Sequence, residues 1–307
     1  MTEAPHAYKH PFEPRFRHHI EAAAARGLFG LLKHLPFDAA SAFGGWLGRS
    51  LGPLSGAHRT AERNLARAIP EIAAPARARI LSDMWDNFGR TMLEYAVLPR
   101  MAAASDAALA QRVTVEGAEA LSELTALAAA GKPAILFGAH FGNWEVMPLV
   151  LARRVKPLTI VYRPPNNPLV DKIIGEVRKG YTAGMAAKGA AGARQMLKAL
   201  ARGEHVIMLV DQKLNTGMEI PFFGRGAFTG PAVASMAMRY DCPVFPVRAQ
   251  RLDGFRFKVT VEAPLRLPSG KDEHDVRDAL THINRRLEDW IRAHPGQWMW
   301  MHKRWPD

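Results

Sequence analysis

Apolar residues along the chain change period near residue 110. Before that point they recur every three or four positions. Ala22 to Leu35 and Asp38 to Leu51 read as short apolar helices, broken by Pro36 and by glycines. Pro75 opens a longer helix in which Ile80, Met84, Phe88 and Met92 recur every four residues, with Leu81 and Trp85 widening the stripe. A methionine and aromatic stripe at that spacing is the core-facing side of a helix. From Val113 onward, short runs rich in β-branched and aromatic residues alternate with helical ones. Strands are expected at 113–116, 133–138, 158–162, 205–210, 244–250 and 256–262. Helices are expected at 117–130, 143–153, 167–180, 190–202, 229–240 and 274–293, the last with Val276, Leu280, Ile283, Leu287 and Ile291 on one face. Phe255, Phe257, Val259 and Val261 alternate, which suggests an antiparallel hairpin with 244–250. The pattern predicts an α/β fold, a central mixed sheet flanked by helices over 111–307, preceded by a helical N-terminal region over 1–110.

Composition adds limits. At 307 residues and 48% hydrophobic, the chain can bury a substantial core. Its one cysteine, Cys242, excludes an internal disulfide and fits a reducing compartment. The apolar neighbours of Cys242 make it an inert core thiol. The longest run without Asp, Glu, Lys or Arg is the 13 residues Gly226 to Met238, against the ~18–20 that span a bilayer. The N-terminus carries His6, Lys9, His10, Arg15, Arg17, His18 and His19 where an export signal would place a basic-then-apolar pattern. Leu28 to Leu54, interrupted by Lys33, Asp38 and Arg49, is expected to lie on a membrane surface as an interfacial element.

The net charge of +12 is uneven. Residues 150–200 hold ten Lys and Arg against Asp171 and Glu176 alone, a local balance of +8. Such a stretch suits a polyanionic partner: nucleic acid, anionic lipid or an acidic carrier protein. No zinc-finger spacing, RNP aromatic signature or basic zipper is present, so no nucleic-acid partner is expected. Gly48-Arg-Ser50-Leu-Gly52 matches the hydrolase nucleophile pattern, but no buried strand feeds it and Pro53 follows at once. Gly224-Arg-Gly226 has Thr229 where a dinucleotide loop needs its third glycine. Gly131-Lys132 and Gly270-Lys271 are followed by Pro and Asp, so neither makes a Walker loop, and no His or Cys pair shows metal-site spacing. Neither metal nor cofactor is expected.

The chemistry concentrates at His140-Phe-Gly-Asn-Trp-Glu145, just after the strand that Gly138 ends. With a helix starting near Gly142 or Asn143, His140 sits on the strand-to-helix turn and Glu145 in the first helical turn. The carboxylate is then expected to hold the imidazole as a general base, a role that an unperturbed imidazole pKa of about 6.5 suits. Arg163 ends the strand 158–162 and Asp211-Gln212 ends the strand 205–210, at the edge where α/β sheets bind ligands. Phe222-Phe223-Gly224 and Thr229 are expected on a loop and a helix start, lining an apolar tunnel or packing the core. Trp298, Trp300 and Trp305 interleave with His302, Lys303 and Arg304, which suits a membrane interface and a structural signature equally.

Taken in order, His140 to Glu145, Val161 to Pro168, Leu209 to Gln212, Ile220 to Gly224 with Thr229, Pro243 to Pro246 and Gln297 to Trp305 resemble the late acyltransferases of lipid A biosynthesis. That family belongs to the glycerolipid-type acyltransferases sharing a His-x-x-x-x-Asp/Glu motif. The resemblance runs from about Leu28 to Trp305. It implies transfer of a fatty acyl group from acyl carrier protein to a hydroxyl of a lipid A precursor, on the cytoplasmic side of a bacterial inner membrane. It implies further that Arg163 holds an acceptor phosphate or the reacting oxygens, that Asp211 and Gln212 structure the wall of the cleft, and that Asn143, Phe223 and Thr229 belong with the substrate-binding residues. Many relatives carry one N-terminal membrane helix, from which this chain departs. An acyl-CoA-dependent enzyme acting on another phospholipid or glycolipid, a thioesterase, and a non-catalytic membrane-binding protein remain the alternatives.

Overall fold

The computed structural model describes residues 13–187, 189–268 and 272–306. His6, Lys9, His10, Lys188 and the Gly270-Lys271 pair lie outside them. Nine strands are present among the described residues: β1 (Val113–Glu116), β2 (Ile135–Gly138), β3 (Leu158–Tyr162), β4 (Gly184–Ala187), β5 (His205–Leu209), β6 (Met218–Phe222), β7 (Arg225–Thr229), β8 (Val244–Arg251) and β9 (Phe257–Val261). Seven of them form one sheet in the order β1-β9-β8-β2-β5-β3-β4, and β6 and β7 form a separate hairpin. Every neighbouring pair in the large sheet is parallel except β8 with β9. The six strands read from periodicity are all there, as is the antiparallel 244–250 hairpin. β4, β6 and β7 were not expected.

Strand β2 shows why its sequence is apolar without alternation. Ile135 and Phe137 pack into one hydrophobic cluster with the helices Ala190–Ala201, Ala232–Tyr240 and Glu273–Ala293, while Leu136 packs into a second with Ala118–Ala129, Val146–Leu151 and Pro168–Lys179. A parallel strand covered on both faces has no side for polar residues. The N-terminal helices join these same clusters. Leu65, Met84 and Trp85 share the first with Phe137, and Tyr95, Val97 and Leu98 share the second with Leu136. The stripe on the helix Ala74–Glu94 thus faces the core, as its spacing implies.

The segment 222–229 departs from expectation. Phe223 and Gly224 form a two-residue turn, both with positive φ (52° and 68°), between the paired Phe222 and Arg225. Such a hairpin turn is usually marked by Asn-Gly or Asp-Gly, so Phe-Gly hid it, and Thr229 ends β7 instead of opening a helix. Ser50 lies in the unbroken helix Phe37–Leu51, which removes any nucleophile elbow there. Trp298, Trp300 and Trp305 are buried, at 0%, 0% and 4% exposure. They are core residues, and the membrane-interface reading of that segment is overturned.

Candidate active site

The carboxyl ends of β2, β5 and β3 lie side by side, and the residues that follow them are Ala139-His140, Val210-Asp211-Gln212 and Arg163. An open α/β sheet places its crevice here. His140 does not begin a helix. Gly142 takes a positive φ of 55°, where a Cβ would sit 1.8 Å from the Ala249 carbonyl oxygen, and the helix starts only at Val146. The intervening turn aims His140 and Glu145 at different partners.

Asp211 takes the imidazole. Its Oδ1 lies 2.8 Å from His140 Nδ1, and its Oδ2 accepts from the His140 backbone N–H at 2.9 Å and from the Trp298 indole N–H at 2.8 Å. Burial raises the Asp211 carboxyl, but the charge and hydrogen bonds of His140, with His302 behind them, more than offset it and hold the group well below the carboxylate range. An ionised Asp211 selects the Nδ1–H tautomer, so Nε2 carries the lone pair, 3.3 Å from the Gln212 amide nitrogen. Asp211 was expected as wall; it is the partner of His140.

Glu145, expected to hold the imidazole, is instead locked to Arg178. The Arg178 Nη2 donates to Oε1 at 2.5 Å and its Nε to Oε2 at 3.0 Å, and the Tyr181 hydroxyl adds a bond at 2.9 Å. Burial again works against ionisation, and Arg178 with the Tyr95 and Tyr181 hydroxyls outweighs it, so Glu145 stays below its ordinary value. Arg178 is therefore a buried structural cation and not part of the basic surface of 150–200. Arg154, Lys156, Arg163, Lys172, Lys179, Arg194 and Lys198 remain exposed there.

Beneath the turn lies a polar network that sequence reasoning missed. Asn143 is fully buried, its amide donating to Glu94 at 2.6 Å and its oxygen accepting the Glu145 N–H at 3.0 Å. It braces the turn from below and does not line the cavity. Arg251 bonds both oxygens of Glu94 (2.5 and 2.9 Å), together with Asn87 and Thr91. Asn87 and Thr91 donate in turn to the Gly142 carbonyl, and the Gly142 N–H donates to the Gln297 carbonyl. Glu94, a lone acid in the apolar run Met92 to Val97, was the available signal. Thr229 and Phe223 also lie away from the cavity. The Thr229 hydroxyl accepts from Arg304 at 2.8 Å, and Phe223 packs on Trp300 and Trp305.

The imidazole opens onto a cavity of about 690 Å³. Met147, Ile160, Ile174, Met196, Met208 and Val233 supply hydrocarbon wall, and His140, Arg163 and Gln212 are among the polar residues. A mostly apolar cavity with a few convergent polar groups is the usual form of a small-molecule site. Among the described residues no group of three His, Cys, Asp or Glu side chains is placed to hold a metal ion.

Comparison with known proteins gives this geometry a family. The chain is 25% identical to a lipid A biosynthesis palmitoleoyltransferase of Escherichia coli, over 91% of this chain and 88% of that protein. It is 23% identical to a lipid A biosynthesis acyltransferase of Haemophilus influenzae, over 88% and 83%. A phosphatidylinositol mannoside acyltransferase of Mycobacterium tuberculosis is 26% identical over 79% and 75%. The family model for bacterial lipid A biosynthesis acyltransferases matches residues 9–307, and the chain belongs to that family of enzymes.

Proposed function

We propose that the protein moves a fatty acyl group from acyl carrier protein to a hydroxyl of a lipid A precursor at the cytoplasmic face of a bacterial inner membrane. The observation that carries this reading is the Asp211–His140 pair opening onto the apolar cavity. The acyl chain lies in the cavity with its thioester carbonyl at the mouth. His140 Nε2 takes the proton of the acceptor hydroxyl as its oxygen attacks the carbonyl carbon. The new C–O bond forms, the C–S bond breaks, and the imidazolium returns the proton to the leaving thiolate. Asp211 holds the tautomer and stabilises the imidazolium throughout. Glu145 and Arg178 shape the cavity wall. The exposed cations of 150–200 supply the docking surface for an acidic carrier.

Purified protein incubated with a labelled acyl carrier protein thioester and a lipid A precursor should move the label to the lipid. Label released only as free fatty acid would make the protein a thioesterase. Transfer from acyl-CoA but not from the carrier thioester would overturn the donor.

The membrane contact is assigned to the N-terminal helices. Among the described residues no helix is long and apolar enough to cross a membrane. Phe16, Leu31, Trp46 and Leu54 are 82%, 73%, 55% and 81% exposed on consecutive N-terminal elements. A large apolar side chain moved out of water contributes about 1.5–3 kcal/mol, so these exposed side chains are suited to the lipid interface. Deleting the region is a poor test, because Ser41 bonds the buried Glu94 at 2.6 Å. Glutamates at Leu31, Trp46 and Leu54 leave that contact alone. The triple variant should lose at least ten-fold in sedimentation with phosphatidylglycerol vesicles, and undiminished binding would place the anchor elsewhere.

A further inference from the structure

The Gln212 amide nitrogen lies 3.3 Å from His140 Nε2. Gln212 also lines both the apolar cavity and a second one of about 650 Å³, so the two spaces meet beside the base. With Nδ1–H given to Asp211, Nε2 presents a lone pair, and the amide meets it as a donor. Acyl transfer takes that partner away. An acceptor hydroxyl bonded to Nε2 occupies the lone pair that Gln212 had. The freed N–H is then left next to the carbonyl under attack, where negative charge develops.

The backbone on both sides of Gln212 is fastened. Asp211 is held by His140 Nδ1, the His140 backbone N–H and the Trp298 indole. The Lys213 N–H donates to His302 Nε2 at 3.1 Å, and the Leu214 N–H to the Phe228 carbonyl at 3.1 Å. His302 is neutral and free to accept there, because burial drives its pKa down to about 3, with Asp211 opposing. A dipole fixed before the reaction stabilises new charge without having to reorganise. Arg163, the other polar side chain common to both cavities, is exposed, where water and salt screen its charge.

We propose that Gln212 is the oxyanion donor of the reaction. The hydroxyl oxygen bonds the thioester carbon as its proton passes to His140 Nε2. The carbonyl π pair moves onto oxygen, which accepts from the Gln212 N–H. Collapse restores the carbonyl and breaks the C–S bond. The thiolate takes the proton from the imidazolium, and Nε2 accepts from Gln212 again. The inference rests on the acyl-transfer reading above and adds the group that stabilises its tetrahedral intermediate.

The test compares wild type with Gln212→Met, which keeps the length of the side chain and removes its donors. Each protein is assayed for transfer to a lipid A precursor. Each is then inhibited by a fatty alkylphosphonate, a tetrahedral anion, and by the fatty amide of the same length, a planar neutral carbonyl. The variant should lose about 10²–10³-fold in kcat, the usual cost of one oxyanion donor. Both KM values and the unfolding temperature should stay near those of wild type. The phosphonate should bind the variant about ten-fold or more weakly than wild type, and the amide about equally, because only the tetrahedral anion resembles the intermediate. A kcat within about threefold of wild type overturns the inference. A reduced kcat with unchanged phosphonate inhibition overturns it in favour of Gln212 positioning the imidazole. Equal weakening of both inhibitors overturns it in favour of a packing role. A wild type that transfers no acyl group overturns the acyl-transfer reading and this inference with it.

Discussion

Acyl transfer by the His140→Ala protein should be slower than wild type by about 10²–10⁴-fold, the usual contribution of a positioned acid–base group. Its fold should survive, because Asp211 keeps two of its partners, the backbone N–H of residue 140 and the Trp298 indole. Asp211→Asn should give a loss in the same range by a different route. The amide has nearly the shape of the carboxylate, but it can present N–H to Nδ1 and turn the imidazole proton outward to Nε2. A base in that tautomer has no lone pair to offer the acceptor. Steady-state transfer rates, read beside thermal unfolding of each protein, check both.

The second large effect is expected from Arg251→Met. Arg251 and Glu94 are 6% and 0% exposed, so the substitution leaves a buried carboxylate without its guanidinium. Removing one partner of a buried ion pair costs about 3–5 kcal/mol. In a chain of this size that is a fall in Tm of roughly 5–8 °C. The loss should also reach the reaction, because Asn87 and Thr91, which bond the Gly142 carbonyl below His140, are themselves bonded to Arg251. Differential scanning calorimetry and the transfer assay on the same preparation measure the two consequences. An unchanged Tm would mean that the Glu94 charge is satisfied by Ser41 and Asn143 alone.

The parts of this architecture legible in the sequence are those governed by short-range pattern. Both-face burial writes itself into Ile135-Leu-Phe137 as an unbroken apolar run, and one-face burial writes itself into the helix Glu273–Ala293 as a stripe. The strand ends at His140, Arg163 and Asp211 followed from those runs, and with them the residues of the crevice. What stayed hidden depends on contacts between distant segments. Whether Asp211 or Glu145 meets the imidazole is settled by a positive φ at Gly142 and by a pairing across 71 positions. The membrane-like mix of tryptophans and cations at 298–305 was ambiguous until the fold buried it. Phe141 bridges Trp298 as in a strand pair, and Arg304 stacks on Phe222 while bonding Thr229. The Phe223-Gly224 turn went unseen because its first position tolerates a strained Phe, held by the Glu288 carboxylate on its N–H at 2.8 Å and by aromatic neighbours.

We propose that His140 acts as a base because Asp211 holds it. The most direct test is the single-turnover rate of acyl transfer to the lipid by folded Asp211→Asn protein, at donor and acceptor concentrations that saturate wild type. The expected rate is at least 10²-fold below wild type, with an unfolding temperature showing that the protein is intact. A rate within threefold of wild type for that intact protein would contradict it.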